Sequence, residues 1–128
     1  MIVLDSSFLV SLFREKDANN QRAIASSVEL DHEEKIVPDT ILFETITVLN
    51  YKDGIEMART AYEKMLGSRQ VTFYAFNETE RNEILHEFFS HGGRLSVPDA
   101  SVVYLARKTG SRVLAFDEKI VKAVKKGR

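Results

Sequence analysis

Four carboxylates in this chain stand where an oxygen-ligated cation would need them. Asp5 follows the apolar run Ile2-Val3-Leu4, and Asp117 follows Val113-Leu114-Ala115-Phe116. Both runs are short and aliphatic or aromatic, as strands buried on both faces require. In an open α/β sheet, ligands bind beyond the carboxyl ends of the strands, near the point where strand order reverses. Each run therefore delivers an aspartate to the edge where such sheets place their chemistry. Glu44 and Asp99 lie between them on segments of helical periodicity and can reach the same edge. Two unit charges about 4 Å apart repel by roughly 4 kcal/mol at an effective dielectric near 20, so four carboxylates share a pocket only around a cation. Hard oxygen donors select Mg²⁺ or Mn²⁺ over softer metals.

Each acid also has a purely local reading. Asp5 and Asp117 suit the N-caps of the helices that follow them. Asp99 falls in a first helical turn, where a carboxylate complements the helix dipole. Those readings leave the faces unexplained. Asp99 shares a face with Val102, Val103 and Ala106, and Glu44 borders the stripe of Leu42, Ile46 and Leu49. An acid at the edge of a core-facing stripe calls for a partner.

The elements that must hold these residues alternate along the chain. A strand ending at Asp5 leads into a helix from Ser6 to about Phe13, and a second helix runs from about Ala18 to Leu30. Lys35-Ile36-Val37 is a brief strand, and Pro38-Asp39 opens a helix to about Tyr51, with proline in its first turn. Asp53 with Glu56 reads as a capping box for a helix ending near Gly67, and Asn77 with Glu80 as another for a helix to about Ser90. Val71 to Phe76 and Leu95-Ser96-Val97 read as extended, Pro98-Asp99 starts a helix to about Lys108, and the strand 112–116 precedes a short terminal helix. The pattern predicts an α/β fold, with a short parallel central sheet of about five strands and helices on both faces.

Composition fits this reading. The 128 residues are 44% apolar and 29% charged with a formal net charge of −1, a globular balance long enough for a real core. Cysteine is absent, which excludes disulfides, thiolate metal sites and cysteine nucleophiles. No apolar stretch approaches the ~18 residues that span a bilayer, and no secretory leader pattern is present, so no membrane partner and a cytoplasmic location are expected. Lys119, Lys122, Lys125, Lys126 and Arg128 concentrate positive charge at the end of the chain, suited to steering a phosphate backbone or simply to forming a solvated helix face.

In order and spacing the four acidic segments resemble those of the PIN-domain nucleases, most closely the VapC-type toxins of prokaryotic toxin–antitoxin pairs. The matching residues are Asp5-Ser6-Ser7, Glu44-Thr45-Ile46-Thr47-Val48-Leu49, Asp99-Ala100 and Leu114-Ala115-Phe116-Asp117. The resemblance spans nearly the whole chain and implies a single PIN-like domain over residues 1–128. It implies a metal-dependent endoribonuclease that hydrolyses RNA phosphodiesters. Asp5 and Asp99 would be primary Mg²⁺ or Mn²⁺ ligands, Glu44 and Asp117 would complete the site directly or through water, and Ser7 would orient substrate or an acid. An antitoxin partner and a homodimer are implied as well, with Phe8, Leu12 and Phe13 offering apolar area for a partner or for the core. The chain departs from the pattern at Ala115 and Lys119, where many members carry Ser or Thr and a further Asp. Those departures favour an alternative, a catalytically weak or inactive module that binds RNA or protein.

Overall fold

Four parallel strands form the sheet: β1 (Ile2–Leu4), β2 (Lys35–Pro38), β3 (Val71–Tyr74) and β4 (Arg112–Leu114), in the spatial order β3-β2-β1-β4. The computed structural model describes residues 1–126, so Arg128 lies outside the described residues. Among these, seven helices connect and follow the strands: α1 (Ser6–Phe13), α2 (Asn20–Glu29), α3 (Asp39–Asp53), α4 (Ile55–Gly67), α5 (Glu78–Ser90), α6 (Val97–Thr109) and α7 (Glu118–Lys126). The chain builds outward from β1 to β2 to β3 and then returns to lay β4 on the other side of β1. Strand order thus reverses between β1 and β4. Val3 pairs with Val113 and Leu4 with Leu114, and the Asp5 amide continues the ladder by donating to the Leu114 carbonyl at 3.1 Å.

All of β1 is buried. Successive strand side chains point to opposite faces, so both faces of the sheet are covered at this strand. The core-facing stripe of α6 is fully inside, with Val102, Val103 and Ala106 all 0% exposed. On α7, Ile120 and Val124 are buried and Val121 is half-buried. Phe8 belongs to the core, whereas Leu12 and Phe13 are only partly buried against it, so any partner surface here has to do without Phe8.

The sheet has four strands, not about five. Leu95-Ser96-Val97 pairs with nothing. Ser96 is extended because it is the N-cap of α6, its hydroxyl accepting from the Asp99 amide at 3.1 Å, and Val97 already belongs to the helix. Pro38 ends β2 instead of occupying the first turn of α3, pairing in register with Tyr74. The capping box expected from Asp53 and Glu56 does not form. A single glycine, Gly54 at φ +93°, separates α3 from α4, which keeps Asp53 in the last turn of α3. Its carboxylate accepts from Arg14 Nε at 2.8 Å instead. The box of Asn77 and Glu80 does form.

Candidate active site

The strand order sets the stage, and four helices supply the walls. Asp5 leaves the end of β1 as the N-cap of α1, and Asp117 sits just beyond β4 at the entrance to α7. Asp99 lies in the first turn of α6, and Glu44 in the second turn of α3. The last two helices are tied together by Thr40 and Ser101, whose hydroxyl oxygens are 2.6 Å apart. All four acids line one open cleft of about 600 Å³, together with Ser7. This is the place where strand order reverses, as expected for ligand sites in such sheets.

Capping accounts for only part of each carboxylate. Asp5 Oδ2 accepts from both the Ser7 amide (3.1 Å) and the Ser7 hydroxyl (2.6 Å). Its Oδ1 is buried with no hydrogen-bond partner. Asp99 Oδ2 accepts from the Ser96 amide at 3.0 Å, completing a capping box, and Asp117 Oδ1 accepts from the Lys119 amide at 2.9 Å. Glu44 Oε2 is a second buried acceptor without a partner. Two buried, unsatisfied carboxylate oxygens in one cleft are costly on their own. Their chemistry is that of hard-cation ligands, so the donor set fits Mg²⁺ or Mn²⁺. As placed, no three acidic or imidazole groups among the described residues are close enough to hold an ion together.

The electrostatics agree. Burial pushes the Asp5 carboxyl above its ordinary 3.8, and the charge of Asp99 pushes it further. The Ser7 hydroxyl and amide pull in the opposite direction. Glu44 is likewise raised above 4.5 by burial and by the charges of Asp5 and Asp99, against a hydrogen bond from Ser6. Three of the four acids therefore feel one another across the cleft.

Ser7 joins the two halves of the site. Its hydroxyl donates to Asp5 and accepts from the Phe116 amide at 2.9 Å, so the segment carrying Asp117 is pinned to the end of β1. Beneath it a buried chain continues: the Ser11 hydroxyl donates to the Ser7 carbonyl at 2.9 Å, and Asn20 Nδ2 donates to the Ser11 carbonyl at 2.9 Å. This fixes the start of α2 against α1.

Asp17 and Asn19 also line the cleft and are among the residues that the sequence does not single out as part of the site. Asp17 Oδ1 accepts from the Asn19 amide at 2.8 Å, a local turn that brings both to the rim. The run Asp17-Ala18-Asn19-Asn20 before a helix was the available signal. Ala115 and Lys119 do not line the cleft, and no histidine does.

The PIN domain family model matches residues 2–126 of the chain. A comparison with solved structures finds VapC20 of Mycobacterium tuberculosis, a toxin that cleaves the sarcin–ricin loop. It is 25% identical, with a TM-score of 0.86, over 96% of this chain and 95% of that one. VapBC2 of Rickettsia felis, solved on a DNA fragment from its promoter, superposes at a TM-score of 0.71 with 12% identity, covering 96% and 93% of the two chains. FitAcB of Neisseria gonorrhoeae gives 0.68 with 17% identity over 98% and 94%. At such identities the last two speak to fold alone. A search of curated proteins by sequence finds no match.

Proposed function

The chain belongs to the PIN domain family, and on that premise we propose that it is a Mg²⁺- or Mn²⁺-dependent endoribonuclease. The observation that carries the reading is the pair of buried, unpartnered oxygens, Asp5 Oδ1 and Glu44 Oε2, at the head of a cleft that Asp99 and Asp117 also line. These four carboxylates would hold the cation. A cation held there would supply charge neutralisation at a phosphate and a lowered pKa for bound water.

The chain's own groups then have distinct tasks. Asp5, packed and 1% exposed, keeps one oxygen fixed by Ser7 and presents the other. Ser7 acts as a positioning residue, because its proton is given to Asp5 and its lone pair to the Phe116 amide. Asp99 and Asp117 each keep one oxygen on a backbone amide, which restrains their orientation. A carboxylate of the four left free of the ion would be placed to orient water and accept its proton.

Similarity to VapC20 over nearly the full length of both chains supports the finer reading, the toxin of a toxin–antitoxin pair acting on RNA, and a cytoplasmic location is part of that proposal. An antitoxin and a second copy of the chain are the protein partners this reading carries. No helix among the described residues is long and apolar enough to cross a membrane. Incubation of purified protein with mixed RNA tests the activity. Cleavage is expected with Mg²⁺ or Mn²⁺, and none with EDTA or in Asp99→Asn. Cutting that persists in EDTA would overturn the metal mechanism.

A further inference from the structure

Beside the acidic cleft lies a second pocket of about 390 Å³ with the opposite charge. Arg22 of α2 and Lys122 and Lys125 of α7 line it, with Glu118 as its one acid. None of the three cations takes part in an ion pair among the described residues. The opposite face of α7 is spent on the core through Ile120, Ala123 and Val124, so the lysine face is free. An amphipathic helix explains a solvated lysine row. It does not explain an arginine converging on that row from another helix, because like charges gathered in one groove repel.

Phe116 lies between the two pockets and lines both. Its ring packs edge-on against Phe8 at 5.9 Å, and its amide is held by the Ser7 hydroxyl. The Arg22 guanidinium stands over the same ring, 4.7 Å from its centroid. Stacking engages the face of a guanidinium and leaves its edge of N–H donors available, which suits phosphate. Arg22 is exposed yet held in place by this ring.

We infer that the Arg22–Lys122–Lys125 groove binds the phosphodiester backbone of the RNA strand as it leaves the acidic cleft, with Arg22 gripping the phosphate at the Phe116 seam. The inference rests on the nuclease reading for its choice of ligand, and it adds a substrate-binding subsite to it. Repulsion from four carboxylates works against polyanion binding at the cleft itself, so an adjoining cationic track supplies the affinity that brings the strand there.

The test is fluorescence anisotropy of a labelled single-stranded RNA of about 20 nucleotides, in EDTA so that nothing is cut, across about 50–200 mM salt. Each phosphate contact on a single strand contributes about 0.7 to the log–log salt slope, or about 5-fold in affinity at ~0.1 M salt. The double variant Lys122→Gln/Lys125→Gln is expected to bind about 25-fold more weakly, with a slope shallower by about 1.4. Arg22→Gln is expected to lose about 5-fold, and Arg22→Lys to keep the slope. Lys52→Gln/Arg59→Gln, a charge-matched exposed pair on α3 and α4, is expected to bind as wild type. Groove variants that bind like this control would overturn the inference. So would preferential binding of an acidic peptide that RNA cannot displace. The two readings fail separately. RNA that binds through the groove but is never cut when metal is restored leaves the groove standing and removes the nuclease. RNA that is cut with kcat/KM unchanged in the groove variants does the reverse.

Discussion

Replacing Ser7 with alanine removes one oxygen and two hydrogen bonds, one to the Asp5 carboxylate at 2.6 Å and one from the Phe116 amide at 2.9 Å. The bond to a charged acceptor contributes about 1.5–3 kcal/mol and the neutral one about 1 kcal/mol, while water at the open cleft restores part of the second. A net loss of about 2.5 kcal/mol is expected, which for 128 residues at ~2.1 cal/mol/K each lowers Tm by roughly 9 °C. Thermal and urea unfolding in EDTA measure it, with Ser90→Ala as the control, since that hydroxyl serves only an exposed helix carbonyl. The sign with pH is fixed by Asp5. The hydroxyl stabilises its charged form, so the Ser7→Ala penalty is largest at pH 7 and shrinks as pH falls toward the ordinary 3.8, because the raised carboxyl takes up its proton above that value in the folded state. A loss below about 0.5 kcal/mol would show that the hydroxyl does not clamp the site. A loss independent of pH would show that it serves Phe116 and not Asp5.

Asp5→Asn should abolish cleavage, beyond the ~10–100-fold typical of removing an outer partner of a metal ligand. The same variant should unfold at a higher temperature than wild type at pH 7 in EDTA. The folded Asp5 carboxyl is raised above 3.8, so wild-type stability falls as pH rises through the interval above that value, and the advantage of asparagine should vanish near pH 4. Equal stability at pH 7 would contradict the buried, unpaired charge. Glu80 has the opposite sign. Lys108 Nζ at 2.8 Å and the Tyr74 hydroxyl at 2.5 Å hold its carboxyl down at about 2, against an ordinary 4.5. Its contribution is present above pH 4.5 and is lost as pH falls toward about 2. The gap between wild type and Glu80→Gln in urea should therefore close across that interval, and a gap that widens in acid would refute the assignment.

The fold class and the placement of the acids were legible because they rest on local rules. Apolar runs of three or four residues followed by aspartate marked β1 and β4, and the i, i+3, i+4, i+7 face of Asp99 located α6 against the core. Misreadings arose where one residue has two uses. An N-cap is extended by nature, so Ser96 passed for part of a strand. Asp53 satisfied a capping pattern in sequence, yet a single-glycine connector left it within the preceding helix, where Arg14 claimed it. What sequence cannot encode locally is convergence. Nothing near position 7 announces that its hydroxyl receives the amide of residue 116, nor does anything near position 22 announce a ring contact with the same residue. Asp17 and Asn19 reach the rim through a turn whose direction depends on how Asn20 is anchored to α1.

The bond from the Phe116 amide to Ser7 spans 109 positions, and this distance has a meaning in time. A chain is made from its N-terminus at about 5–20 residues per second, and earlier segments begin to organise while later ones are still unmade. Asp5, Glu44 and their helices emerge early, but β4 and Asp117 follow only after α6 is complete. Until then β1 is an edge strand, and the Ser7 hydroxyl has no Phe116 amide to receive. On the proposed function, an RNA-cutting enzyme is synthesised on an RNA machine, and of the four described strands the one made last closes the site.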